Sequence, residues 1–242
     1  MAETGHARNV EHFQQLISFC TGYGSDYDPT NTAIELTALN AVLGQATAAL
    51  DAVQTNIAPW KNKVADRENI YQGIRPLTTR IVAAFDACGA DNNKVDNVKT
   101  YHRSIHGARA KALPKDDPDT PENESAGNSV SHQSYVQIAE AFNGMIKILD
   151  DEPLYSPNEV PLQVATLTTL KNSMFNANQE VIDTATPLSN SRIDRNNVLY
   201  ADDTGLCDLA GDVKKYVKSV YGAQSPQYNQ VSGLEFVKRK KT

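Results

Sequence analysis

From Leu36 to Trp60 the apolar residues Leu36, Leu39, Leu43, Ala46, Leu50, Val53, Ile57 and Trp60 alternate three and four apart. Side chains at that spacing share one helix face, and a sustained alternation is the heptad seam that bundles and coiled coils bury. The pattern returns after a shift of 128 residues, through Leu167, Leu170, Met174, Ala177, Val181 and Leu188. It is looser there, because Lys171 and Asn178 stand where Leu43 and Leu50 would be.

The same shift aligns the punctuation. Tyr27 meets Tyr155, Pro29 meets Pro157, Pro59 meets Pro187, Asn62 meets Asn190, and Asn69 meets Asn197. The dipeptide Asp66-Arg67 meets Asp194-Arg195. With one residue of slip, Phe13, Leu16, Ile17 and Phe19 also match Phe142, Met145, Ile146 and Ile148. Coincidence does not place prolines and apolar stripes in register together. The pattern predicts an all-α fold: an elongated helical bundle of two pseudo-repeated units, 9–112 and 131–237, each carrying a long kinked helix.

Within the first unit, Thr32-Ala33-Ile34-Glu35 reads as a capping box, and Pro161 stands in the first turn of the copy. The apolar phase continues past Pro59 through Val64 and Tyr71, so one helix is expected over 33–72. It would be roughly 60 Å long. Shorter helices are expected at 9–21, 76–88, 93–112, 132–150 and 204–221, with Gly89 and Gly222 marking helix ends. A short extended piece is expected at 233–237. Residues 1–8 are polar and are read as a disordered N-terminus. Residues 113–130 contain three prolines and five acids and are read as an exposed acidic, proline-rich linker, and 238–242 as a basic tail.

Composition changes this picture little. Hydrophobic residues make up 40% and charged residues 21% of the 242, ordinary values for a folded chain, and the net charge is −6. No basic start is followed by an apolar h-region, and no uninterrupted apolar run approaches the ~18 residues of a membrane span, so a cytoplasmic protein without one is expected. Cys20, Cys88 and Cys207 are odd in number and far apart, which predicts buried free thiols in a reducing compartment. Asn123-Glu124-Ser125 matches the glycosylation sequon, an accidental match where no secretory signal is seen.

Candidate chemistry is sparse. His102 and His106 share a helix face at i, i+4, but further metal ligands are missing, so they read as surface histidines on a basic helix. A di-iron bundle needs two ExxH pairs, and Glu3-Thr4-Gly5-His6 is the only one. The repeated Asp-Arg pairs read as interhelix salt bridges and hydrogen bonds that fix register, with a ligand site at a pseudo-twofold axis as the alternative. Lys99, Arg103, Arg109, Lys111 and Lys115 form a basic helix, and Lys238 to Lys241 a basic tail; both offer weak contact to nucleic acid or another anionic surface. Asp116, Asp117, Asp119, Glu122 and Glu124 follow the first cluster directly and oppose that use. No GxSxG, GxxxxGK[ST] or GxGxxG motif is present.

The phrases "DVKKYVKSVYGAQSPQYNQVSGLEF", "SRIDRNNVLY" and "GHARNVEHFQQLISFCTGYG" resemble a family of bacterial all-helical proteins. The resemblance spans most of the chain and implies a single-family helical protein, with no activity, substrate or site residue to carry over. Taken together, a structural or protein-interaction bundle is expected, with self-assembly as an extension of it. A small-molecule or lipid-binding bundle is the alternative. No enzyme activity is expected, and no catalytic, cofactor-binding or metal residue is assigned. The expected partner is a protein or a second copy, rather than nucleic acid.

Overall fold

The computed structural model describes residues 4–107 and 134–238. Every regular element among them is a helix or a 3-10 turn. The helices are α1 (Thr4–Gly22), α2 (Leu36–Tyr71), α3 (Ile74–Ala87), α4 (Asn92–His106), α5 (Tyr135–Asp150), α6 (Val164–Tyr200), α7 (Leu206–Tyr221) and α8 (Pro226–Ser232). The expected linker at 113–130 and most of the basic tail lie outside the described residues.

Both prolines sit inside their helices, Pro59 in α2 and Pro187 in α6. Each helix therefore forgoes one i→i−4 bond at the proline, and burial of its seam outweighs that loss. Burial recurs every seventh residue: Leu39 (0% exposed), Ala46 (0%) and Val53 (1%) in α2, then Leu167 (0%), Met174 (0%), Val181 (8%) and Leu188 (2%) in α6. The seventh-residue series runs on to Arg67 in one helix and Arg195 in the other.

The helices begin later than expected, because a tyrosine intervenes. Tyr27 donates its hydroxyl proton to the Ile34 carbonyl at 2.7 Å, and Tyr155 donates to the Leu162 carbonyl at 2.9 Å. Each carbonyl is thereby withdrawn from helical pairing. Thr32–Ile34 and Val160–Leu162 become 3-10 turns, and Glu35 and Gln163 are extended. The capping box is therefore not formed: Asn31, not Thr32, accepts the Ala33 N–H at 3.1 Å. Pro161 stands in the 3-10 turn rather than in the first turn of α6.

Two further expectations are corrected. Residues 4–8 are helical rather than disordered, since α1 starts at Thr4 and His6 continues its buried face. Helix α4 stops at His106, because Gly107 takes a left-handed conformation (φ 72) and returns its N–H to the carbonyls of Arg103 and Ser104. The segment Leu36–Ala87 is, by length and composition, apolar enough to cross a membrane, the only such segment among the described residues. Alanine, threonine and glycine interrupt its apolar runs without adding charge.

Two compact units emerge, one of Met1–Trp60 with Thr184–Thr242, the other of Lys61–Asp183. They do not coincide with 9–112 and 131–237. Each draws on both sequence halves, because α2 and α6, at 36 and 37 residues, outrun the 14 to 19 residues of α1, α3 and α5. The first unit packs Phe13 and Leu16 of α1 with Leu39 and Ala46 of α2, Leu199 of α6, and Leu206, Val213 and Val217 of α7. The second packs Ile81 and Phe85 of α3 with Val98 and Ile105 of α4, Phe142 and Met145 of α5, and Leu167 and Met174 of α6.

Candidate functional site

The richest polar constellation lies in the first unit, where α1 and α7 hold the segment that follows α8. Residues 234–238 belong to no helix or strand, and their burial alternates from Leu234 to Val237. Leu234 is buried and Phe236 half-buried, while Glu235 and Val237 face outward. Such an alternation is the one that an extended backbone produces.

Among the described residues no strand pairs with this segment, and side chains on helices meet its main-chain atoms. Asn9, 1% exposed on α1, receives the Val237 N–H on its Oδ1 at 3.1 Å and donates Nδ2–H to the Val237 carbonyl at 3.0 Å. One amide thus closes both polar groups of one residue. His12 Nδ1 stands 2.7 Å from the Glu235 carbonyl, a contact in which the ring donates. Lys214 of α7 donates to the carbonyls of Leu234 and Ser232. Its ammonium also lies 5.2 Å from the Phe236 ring centroid, and His12 meets that ring edge-on at 6.1 Å. Lys238 ends the run with contacts of 3.1 Å to Asp202 and 2.8 Å to Asp208. Lys238 and a backbone N–H hold the Asp208 carboxyl below its usual range.

Behind this groove Asn9 also donates to the Tyr200 hydroxyl at 3.3 Å, and His6 Nδ1 lies 2.7 Å from the same oxygen. Burial pushes the Cys207 thiol up to about 11 and the Cys20 thiol up to about 12, so neither supplies a thiolate near neutrality. All three cysteines are free; Cys20 and Cys207 are buried and Cys88 half-buried.

None of Asn9, His12 and Lys214 is legible from motifs, yet a signal exists. His6, Asn9, Phe13, Leu16 and Cys20 follow the three–four spacing, so two polar residues stand on an otherwise apolar stripe. Polar groups on a buried face require partners.

Asp66 and Arg67 do not form the expected salt bridge with each other. Asp66 and Asp194 are exposed. Asp66 lies 3.8 Å from Lys63, which meets Glu180 at 3.0 Å. Arg67 instead lays its guanidinium 4.1 Å from the Tyr135 ring centroid, and its buried Nε has no hydrogen-bond partner. Tyr135 also takes the edge of Tyr71 at 4.8 Å, and the Tyr71 hydroxyl accepts from Asn178 at 2.8 Å. Arg195 is 3% exposed and donates through Nε and Nη2 to Asn196 Oδ1 at 3.2 and 2.8 Å. Matching positions thus hold a cation in different surroundings, an aromatic ring of α5 at Arg67 and a neighbouring amide at Arg195.

His102 and His106 stack with ring centroids 4.1 Å apart. Their Nε2 atoms face Thr79 at 3.2 Å, and Thr78 and the Arg75 carbonyl at 3.4 and 3.1 Å. They join α3 to α4. Among the described residues no group of three or more His, Cys, Asp or Glu side chains is arranged to hold a metal ion. Of the basic clusters, Lys99 lies 3.6 Å from Asp86, Arg103 donates to Thr100, and Lys238 is engaged as above. Arg109, Lys111, Lys115 and the rest of the tail lie outside the described residues. A cleft between α4 and α5 carries Lys94 and Lys147 beside Glu140 and Asp151, a balanced set of charges.

The first unit's constellation grips polypeptide backbone, which is a binding chemistry. Comparison with family models, with curated proteins and with solved structures found no match.

Proposed function

We propose that this chain is a structural, protein-interaction bundle built from a duplicated helical unit, and that it self-associates through the uncharged face of α2. The observation that carries this is a shortage of charge on an open helix. From Leu36 to Trp60 the only charged residue is Asp51. At the chain's own 21%, such a stretch of 25 residues would hold about five. An outward helix face ordinarily carries charge to stay in water. Here the most apolar window of Leu36–Ala87 has a mean hydropathy of 1.2 and only 17% of it is buried.

The open face is made of Thr37, Ala41, Gly44, Ala48 and Ala52, all exposed. Small residues let a second helix approach closely. The counterpart on α6 supports the same reading: Ala165, Thr166, Thr169, Leu170 and Ser173 line a shallow groove. A chain presenting one kind of face twice is suited to assembly.

Ultracentrifugation over a concentration series tests the reading. Mass should rise with concentration, and Ala41→Lys with Ala48→Lys should abolish the rise. As surface changes they should move stability by no more than about 0.5 kcal/mol each. A wild-type chain that stays monomeric throughout would end the proposal. Co-sedimentation of the monomer with lipid vesicles would replace it with a membrane-surface reading.

A further inference from the structure

The groove that holds residues 234–238 recognises features that any extended polypeptide shares. Its donors and acceptors meet main-chain atoms of Leu234, Glu235 and Val237. Side chains matter at alternate positions only: Leu234 at 9% exposure, Phe236 between His12 and Lys214, and Lys238 at the acids Asp202 and Asp208. The intervening Val237 is 64% exposed. Every gripping side chain except Asp202 stands on a helix, α1 or α7, whereas the held segment has no helix or strand of its own.

We propose that this groove is a peptide-recognition site, which takes an extended segment of pattern aliphatic–x–aromatic–x–lysine from a protein partner, and that the chain's own 234–238 is its resident, displaceable occupant. Charge complementarity chooses the partner's chemistry. Asp202 and Asp208 select a cation at the fifth position, and Lys214 and His12 supply donors for carbonyls along the way. This is the logic of strand-type peptide capture, in which main-chain bonds give affinity and alternate side-chain pockets give specificity. Here helix-borne side chains replace the sheet edge.

The resident also sets a threshold. A segment tethered by a short connection has an effective concentration on the order of millimolar. A free peptide of equal intrinsic affinity competes poorly until it reaches that range. A partner succeeds when it binds better, or when the resident is weakened. The groove does not involve the open face of α2, so self-association and peptide capture can fail separately.

The test uses the full chain and a labelled, end-capped peptide Gly-Leu-Glu-Phe-Val-Lys, read by fluorescence anisotropy. The variant Phe236→Ala with Lys238→Ala weakens the resident and should bind the peptide at least tenfold more tightly than wild type. Adding Asn9→Leu should remove that binding. Should Asn9→Leu fail to fold, Asp202→Asn with Asp208→Asn leaves the helices intact and should remove it equally. No binding by the folded Phe236→Ala, Lys238→Ala chain at millimolar peptide would overturn the proposal. So would binding that survives loss of both acids. In the wild-type chain, amide exchange at Val237 should be much faster than at core amides such as Leu16; exchange only at the global unfolding rate would mean that the resident never leaves, and would also overturn it.

Discussion

Tyr27 closes its corner against Tyr216, ring centroids 5.3 Å apart and planes at 89°, whereas Tyr155 closes the matching corner against Phe85 at 5.6 Å and 52°. The aromatic neighbour differs, and so does the unit in which it stands. The hydroxyl-to-carbonyl bond across seven residues is the same in both. The bond is common to both corners, and the packing around it is not. The two arginines at matching heptad positions repeat the lesson. Arg67 lies over an aromatic face with its Nε unpartnered, whereas Arg195 donates to an amide, so the residue matches and its partner does not.

The comparison is broken most forcefully at the paired phenylalanines. Phe13 and Phe142 are both fully buried, one in each unit. Phe13→Ala and Phe142→Ala should each lower stability by about 3–5 kcal/mol in chemical denaturation. A difference of more than about 2 kcal/mol between them would mean that α1 and α5 do not play matching parts.

Tyr27→Phe and Tyr155→Phe come next. Each leaves a buried carbonyl without its donor, a loss of about 1–3 kcal/mol. Equal losses would tie the corner to the shared bond. A large loss at one and none at the other would tie it to local packing instead.

The arginines should separate the two helices further. Arg67→Met forfeits a cation–π contact but also removes an orphaned buried N–H, so its net effect should stay within about 1 kcal/mol. Asp66 is exposed and near Lys63, so no carboxylate is stranded. Arg195→Met deletes bonds from a buried charged group and should lower stability by about 1.5–3 kcal/mol. Equal effects in thermal melts would contradict the difference in their surroundings.

The smallest effect is in pH. Burial, then His106 and Arg103, hold His102 below its ordinary value of 6.5. The folded state thus disfavours the proton. Stability from this joint is complete above the unfolded value and declines as pH falls below it. A shallow loss of thermal midpoint below about pH 6.5 is expected, and His102→Gln should flatten it. A midpoint that rises on acidification through this range would have the sign wrong.

Much of the fold was legible, because heptad spacing and shared prolines report which faces are buried. Leu39, Ala46 and Val53 recur as Leu167, Met174 and Val181, all buried. The division into compact units was not legible. Periodicity says that a face is covered and not which segment covers it, and a seam as long as that of α2 is covered by different segments along its length. The helix starts were misplaced because a hydroxyl bond from Tyr27 to Ile34 carries no local signature in the residues between them. The groove was missed for a related reason: its grip on main-chain atoms is independent of the held sequence, and only the polar Asn9 on an apolar stripe hinted at it.

The central claim is that the two sequence halves interleave, each compact unit needing segments from both. Expressing residues 1–112 and 131–242 as separate chains tests it directly, by circular dichroism melts with mass measured alongside. Neither half should unfold cooperatively as a monomer, and mixing the two should restore a cooperative transition. A half that melts cooperatively on its own, as a monomer, would contradict the account.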